Sequence, residues 1–183
     1  MRGKSHRMLG EYLVAHYMEG IPQRYQKAFL FGCIEPDRNP ATYIKGSIHY
    51  QWLRGHNYLN ARSFMRHIAR RLESKDQLNL FDYYTLGKLI HYTTDAFTYA
   101  HNDMFTTNLG DHREYEAALQ DHFLSYIQSD PKITRENARS IMEAIYRYHK
   151  VYCTLPANIH TDAKYALRAC CCVLAVLFLP PII

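Results

Sequence analysis

His91 and Asp95 stand four residues apart in LIHYTTDA, and His112 and Glu116 stand four apart in DHREYEA. On a helix that spacing stacks two side chains on one face, a turn apart. Each pair can therefore offer an imidazole and a carboxylate to one cation, a donor set suited to zinc at about 2.0–2.2 Å. His101 follows His91 by ten positions and leaves that face at about 100° per residue. It suits a neighbouring ion, with Asp95 placed to bridge the two. Read singly, His91 with Asp95 is an ordinary helix pair worth about 0.2–0.5 kcal/mol. The second pair, with His101 between, makes residues 87–116 half of a multi-metal site. The other half has to come from earlier in the chain.

The elements that must carry these residues read as helices. Leu9, Leu13, Val14 and Tyr17 recur at helical spacing, which predicts a helix over 6–19 capped by Ser5 and ended by Gly20. Pro22 opens a second helix over 23–32. Residues 35–51, with two prolines, Asn39 and Gly46, read as a long loop holding Asp37 and His49. Phe64, Met65, Ile68, Ala69 and Leu72 mark an amphipathic helix over 59–73. Its Arg62, Arg66, Arg70 and Arg71 read as a solvated face. Further helices are expected over 80–100, which bears His91 and Asp95, and over 112–128. Another opens at Thr134 and Asn137, and a last one begins at Asn158.

Nothing alternates like a strand and nothing repeats. The expectation is all-α: a single-domain bundle of about seven helices spanning residues 1–183, long enough for a real core. Few glycines and prolines, 8 and 7, agree. The net charge of +5 is compatible with an anionic substrate or surface but too small to argue nucleic-acid binding by itself. The five cysteines, Cys33, Cys153 and Cys170 to Cys172, have no disulfide or zinc-ribbon spacing and read as buried thiols of a reducing compartment. No apolar run follows the basic start, so no signal peptide is expected and the cytoplasm is the expected location. The apolar tail 169–183 is short of the roughly 20 residues a span needs and reads as a buried terminal helix, with a membrane-surface contact as the alternative.

Adding the earlier residues His6, Asp37 and His49 gives the order H…D…H…HxxxDxxxxxH…HxxxE. With HYTTDAFTYAH and HREYE as its most specific parts, this order resembles the zinc-dependent phospholipase C family, whose fold is shared with the P1-type nucleases. The resemblance covers roughly residues 4–120. It implies one zinc held by Asp37, His49, His91 and a bridging Asp95, and a second held by His101, His112 and Glu116. It implies a third on His6 and Asp95, completed in the family by the amino terminus of the processed chain. Five residues precede His6 here, fewer than in the family, and Ala100 stands where the family places proline. Two or three zinc ions are therefore expected. His56 lies close enough in sequence to replace His49, and the order of the set favours His49.

Zinc lowers the pKa of bound water from about 16 to about 7, and adjacent ions can hold both the attacking and the phosphoryl oxygens. Asp37 can orient or deprotonate that water. The resemblance thus implies hydrolysis of a phosphodiester at a phospholipid headgroup by a metal-bound hydroxide. A P1-like nuclease and a non-catalytic, metal-stapled helical domain are the competing readings. Tyr43, Tyr50, Trp52 and Tyr99 are candidate walls for a cationic headgroup. His16, His67, His122, His149 and His160 read as structural or surface residues, and Asp111 and Glu114 as solvated.

Overall fold

The computed structural model describes residues 1–44, 56–102, 109–134 and 137–180. His49, Tyr50 and Trp52 lie outside the described residues, as do the side chains of Tyr43 and His112. Seven α-helices make up the described chain: α1 (Gly3–Tyr17), α2 (Gln23–Arg38), α3 (Tyr58–Glu73), α4 (Leu80–Ala96), α5 (Leu109–Gln128), α6 (Ile141–Tyr152) and α7 (Ile159–Phe178). Short 3-10 turns cover Pro40–Ile44 and Tyr99–His101, and no strand occurs among the described residues.

Helix α4 is the axis of the molecule. Asn79 accepts the Asp82 N–H at 3.1 Å while Asp82 accepts the Asn79 N–H at 2.9 Å, a reciprocal cap that fixes its start. Asp82 is anchored further by Arg71 at 2.9 Å and Lys75 at 2.6 Å. From Thr85 to Ala96 every residue is buried. A helix buried all round is enclosed by its neighbours, here α2, α3 and α7.

The closest of these contacts is made by two glycines. A Cβ on Gly32 would lie 2.1 Å from the Tyr84 carbonyl, and one on Gly87 would lie 2.1 Å from the Phe29 carbonyl. Only glycine permits the two backbones to approach so near. Gly32 is therefore a packing residue and not the end of the second helix. Helix α2 runs on to Arg38, and Pro36, one turn from the end, forfeits a single backbone bond. This corrects the expected loop from residue 35: Asp37 sits in the last turn of α2.

Four further boundaries differ from expectation. Helix α1 begins at Gly3, with Arg2 and not Ser5 at its cap, and ends at Tyr17, so that Ser5 lies buried inside it. Helix α4 stops at Ala96 because the Asn102 side-chain amide takes the Ala96 and Thr98 carbonyls at 3.0 and 2.9 Å, satisfying acceptors that a helix end leaves open. Helix α6 begins at Ile141, where the Ser140 hydroxyl accepts the Glu143 N–H at 3.2 Å. Helix α5 begins at Leu109, three residues earlier than expected. The cap at Asn158 is where the sequence places it.

The core gathers Leu9, Leu13, Phe29, Met65, Leu72, Leu86 and Phe123 with the apolar face of α7. Cys170, Cys171 and Cys172 are buried within α7, as expected, whereas Cys153 at the end of α6 is exposed. Among the described residues no helix is long and apolar enough to cross a membrane.

Candidate metal centre

The close α2–α4 crossing brings the end of α2 beside the last turns of α4. His91 is fully buried, and its Nδ1–H can donate to the Cys33 carbonyl of α2 at 2.9 Å. That bond directs the His91 Nε2 lone pair the other way, towards Asp37 Oδ1 at 3.6 Å and Asp95 Oδ2 at 3.3 Å.

His56 is set by the same logic. The Thr42 hydroxyl reaches the Pro36 carbonyl at 2.6 Å and the Asn39 carbonyl at 2.7 Å, so its proton is committed to a carbonyl. It is left to accept from His56 Nε2–H at 3.2 Å. The His56 Nδ1 lone pair then faces Asp95 Oδ2 at 3.0 Å, His91 Nε2 at 3.1 Å and Asp37 Oδ1 at 3.8 Å. Two imidazole lone pairs and two carboxylates thus converge, an arrangement that calls for a shared proton or a cation at its middle.

A second group meets the first at Asp95. His6, from α1, stacks on His91 with ring centroids 3.8 Å apart and brings Nε2 to 3.2 Å from Asp95 Oδ1. Among the described residues neither ring nitrogen of the buried His6 makes a well-aligned hydrogen bond, Nε2 only facing Asp95. Burial, with His91 beside it, lowers its pKa to about 4, so the ring is neutral at pH 7 and able to ligate. The Met1 amino group lies 2.6 Å from Asp95 Oδ1, 2.8 Å from His101 Nε2 and 3.0 Å from Glu116 Oε1. Despite burial, Asp95 and Glu116 raise its pKa to about 10, so this spot favours positive charge. His101 Nε2 lies 3.1 Å from Glu116 Oε1 and 4.0 Å from Asp95 Oδ1.

Electrostatics sort the ligands. Burial resists charge on Asp95, yet the Met1 ammonium, His101, His6 and His91 outweigh it and hold its carboxyl well below the usual range. Burial also works against charging His91, but Asp95 and Asp37 keep its pKa raised. For His101, burial and the neighbouring ammonium prevail over Asp95 and Glu116, and its pKa is lowered.

Among the described residues, then, two sets of ligand atoms lie close enough to share an ion: His6, His91 and Asp95, and Asp37, His56 and His91, each within 4.8 Å. Asp95 turns Oδ1 to His6 and His101 and Oδ2 to His56 and His91. Imidazole and carboxylate donors suit zinc better than magnesium, and the orphaned nitrogens of His6 and the facing lone pairs fit such an ion. Of the eight residues singled out in the sequence, the structure gathers His6, Asp37, His91, Asp95, His101 and Glu116. The other two, His49 and His112, fall on the undescribed portion, although the backbone of His112 is on α5 near Glu116.

His56 is the residue that the favoured ordering passed over. The sequence left it open as an alternative to His49, which itself lies outside the described residues. Asp111 and Glu114 are exposed, His149 is buried, and His16 and His67 are exposed.

Neither a curated protein nor a solved structure matches the chain. The family model for zinc dependent phospholipase C matches residues 5–159, most of the chain. That segment contains every described candidate ligand side chain, and the chain belongs to the zinc-dependent phospholipase C family.

Proposed function

We propose that this protein is a zinc-dependent phosphodiester hydrolase of the phospholipase C type. It would hold two or three zinc ions and cleave a phospholipid at its headgroup phosphate. The observation that carries this reading is Asp95, which turns one carboxylate oxygen to each of two facing ligand groups. Such a carboxylate can bridge adjacent ions, the arrangement that in-line phosphoryl displacement uses.

His91 and His56 are candidate ligands on one side with Asp37. His6, His101 and Glu116, with His112, are candidates on the other, and His49 remains a candidate beside His56. Bound zinc would supply Lewis acidity, polarising phosphoryl oxygens and acidifying water.

The chain's own groups divide the rest of the work. Asp37 is the least buried carboxylate of the group, its side chain 19% exposed against 0% for Asp95. It is placed to accept a proton from the attacking water. The Cys33 carbonyl and Thr42 hydroxyl hold His91 and His56 with a lone pair turned inward. Water adds its oxygen to phosphorus, the phosphorus–oxygen bond to the leaving alcohol breaks, and that alcohol takes up a proton.

Hydrolysis of a chromogenic phosphorylcholine diester and of single-stranded nucleic acid, each with and without added zinc, tests the reading. Zinc-dependent release from the first substrate alone is expected. Cleavage of nucleic acid alone would move the protein to the P1-like reading. Zinc bound without hydrolysis of either would leave a metal-stapled helical domain.

A further inference from the structure

The two halves of the centre are supported differently. His91 and Asp95 are fixed by the α4 backbone. His101 and Glu116 come from a 3-10 turn and from α5, and what aligns them lies in the first turn of α7. Asp162 is fully buried there, its N–H bonded to the Asn158 carbonyl at 2.9 Å.

Its two oxygens accept three hydrogen bonds from three other elements. The Tyr99 N–H reaches Oδ2 at 2.8 Å, the Tyr115 hydroxyl reaches the same oxygen at 2.8 Å, and the Tyr152 hydroxyl of α6 reaches Oδ1 at 2.7 Å. Tyr99 lies two residues before His101, and Tyr115 is the immediate neighbour of Glu116. The two tyrosine rings also meet, with centroids 5.8 Å apart. Asp162 therefore ties together both backbone segments that present the second ligand pair. It acts on their neighbours in the chain and lies outside the segment the family model matches.

We infer that Asp162 is a positioning residue for the metal held by His101 and Glu116, acting through the Tyr99 backbone and the Tyr115 hydroxyl. This rests on the two-sided metal centre proposed above. The carboxylate belongs to a polar knot inside an apolar interior. Burial raises its pKa to about 6, against the three donors that favour the charged form. A carboxylate retained at that cost marks a site where geometry is held by directional bonds rather than by apolar packing. Tyr152 provides an internal comparison: it bonds the other oxygen of the same carboxylate and comes from α6, which carries neither ligand.

The experiment is zinc release from the intact, zinc-loaded chain to a chromogenic chelator, counting equivalents in each kinetic class, beside thermal melting of the same samples. The variants are Asp162→Asn, Tyr115→Phe and Tyr152→Phe. Asp162→Asn and Tyr115→Phe should loosen one equivalent by about tenfold or more, the usual effect of losing a group that orients a ligand. The remaining zinc should be released at the wild-type rate, and Tyr152→Phe should leave every class unchanged. Should Asp162→Asn fail to fold, Tyr115→Phe carries the test.

Folded variants with unchanged release, or with all equivalents loosened alike, would reduce Asp162 to a scaffold residue and overturn the inference. A Tyr152→Phe effect equal to that of Asp162→Asn would do the same. Wild-type protein that retains less than one equivalent would instead sink the metal centre itself, and the inference with it.

Discussion

The two sides of the centre are built from unlike materials. On the first side, His91 and Asp95 lie on a helix enclosed by its neighbours, both 0% exposed, and Asp37 lies at the end of the helix packed closest to it, 19% exposed. On the second, His101 and Glu116 come from a turn and a neighbouring helix and are 12% and 15% exposed. On the first side Asp37, His91 and Asp95 are aligned by backbone contact through Gly32 and Gly87, with His56 held by the Thr42 hydroxyl. The second is aligned by hydrogen bonds that converge on Asp162. Backbone packing resists displacement over a wide area, whereas a few hydrogen bonds contribute about 1 kcal/mol each. The first side should therefore hold its metal more rigidly, and the second should exchange it more readily.

The variant expected to do most damage removes what the sides share. Asp95→Asn should lower bound zinc by more than one equivalent and reduce hydrolysis at least about a hundredfold, measured by elemental analysis and initial rates. Loss of one equivalent only would assign Asp95 to one side.

Next comes the scaffold of the first side. Gly87→Ala places a methyl group against the Phe29 carbonyl and should cost about 3 kcal/mol, lowering the melting temperature by roughly 6–12 °C. An unchanged melting temperature would show that α2 and α4 can separate freely. Glu116→Ala, confined to the second side, should release one equivalent and spare the rest. Metal loss equal to that of Asp95→Asn would erase the distinction between the sides.

The last effect concerns neither side and is felt only at low pH. Burial lowers the pKa of His149 to about 4, against hydrogen bonding to the Ala96 carbonyl, so the folded protein keeps this ring neutral. Its contribution is present above the unfolded value of about 6.5 and is lost as pH falls through the interval down to about 4, by roughly 3 kcal/mol at most. Denaturant titrations of His149→Gln and wild-type protein in chelator should show the variant less dependent on pH across that interval. Parallel curves would contradict the assignment.

Much of this was legible in the chain because helical spacing reports directly on helix faces. His91 with Asp95, the cap at Asn158 and the buried α7 follow from local rules. Asp37 was identified as a candidate yet placed on a loop, because Gly32 reads locally as a terminator while its role is contact with a helix some fifty positions away. The ordering argument favoured His49, and nothing local announces that Thr42 and the end of α4 enclose His56. Asp162 was silent for the same reason: its three partners lie on other elements, and only the folded chain joins them. Local physics writes the elements, whereas the orientation of ligands is written between them.

The most direct test of the central claim is an anomalous difference map collected at the zinc edge from crystals of the zinc-loaded protein. The account predicts one peak among Asp37, His56, His91 and Asp95 Oδ2, and another on the opposite side of Asp95 among His6, His101 and Glu116. Zinc bound at surface histidines, with no density on either side of Asp95, would contradict it.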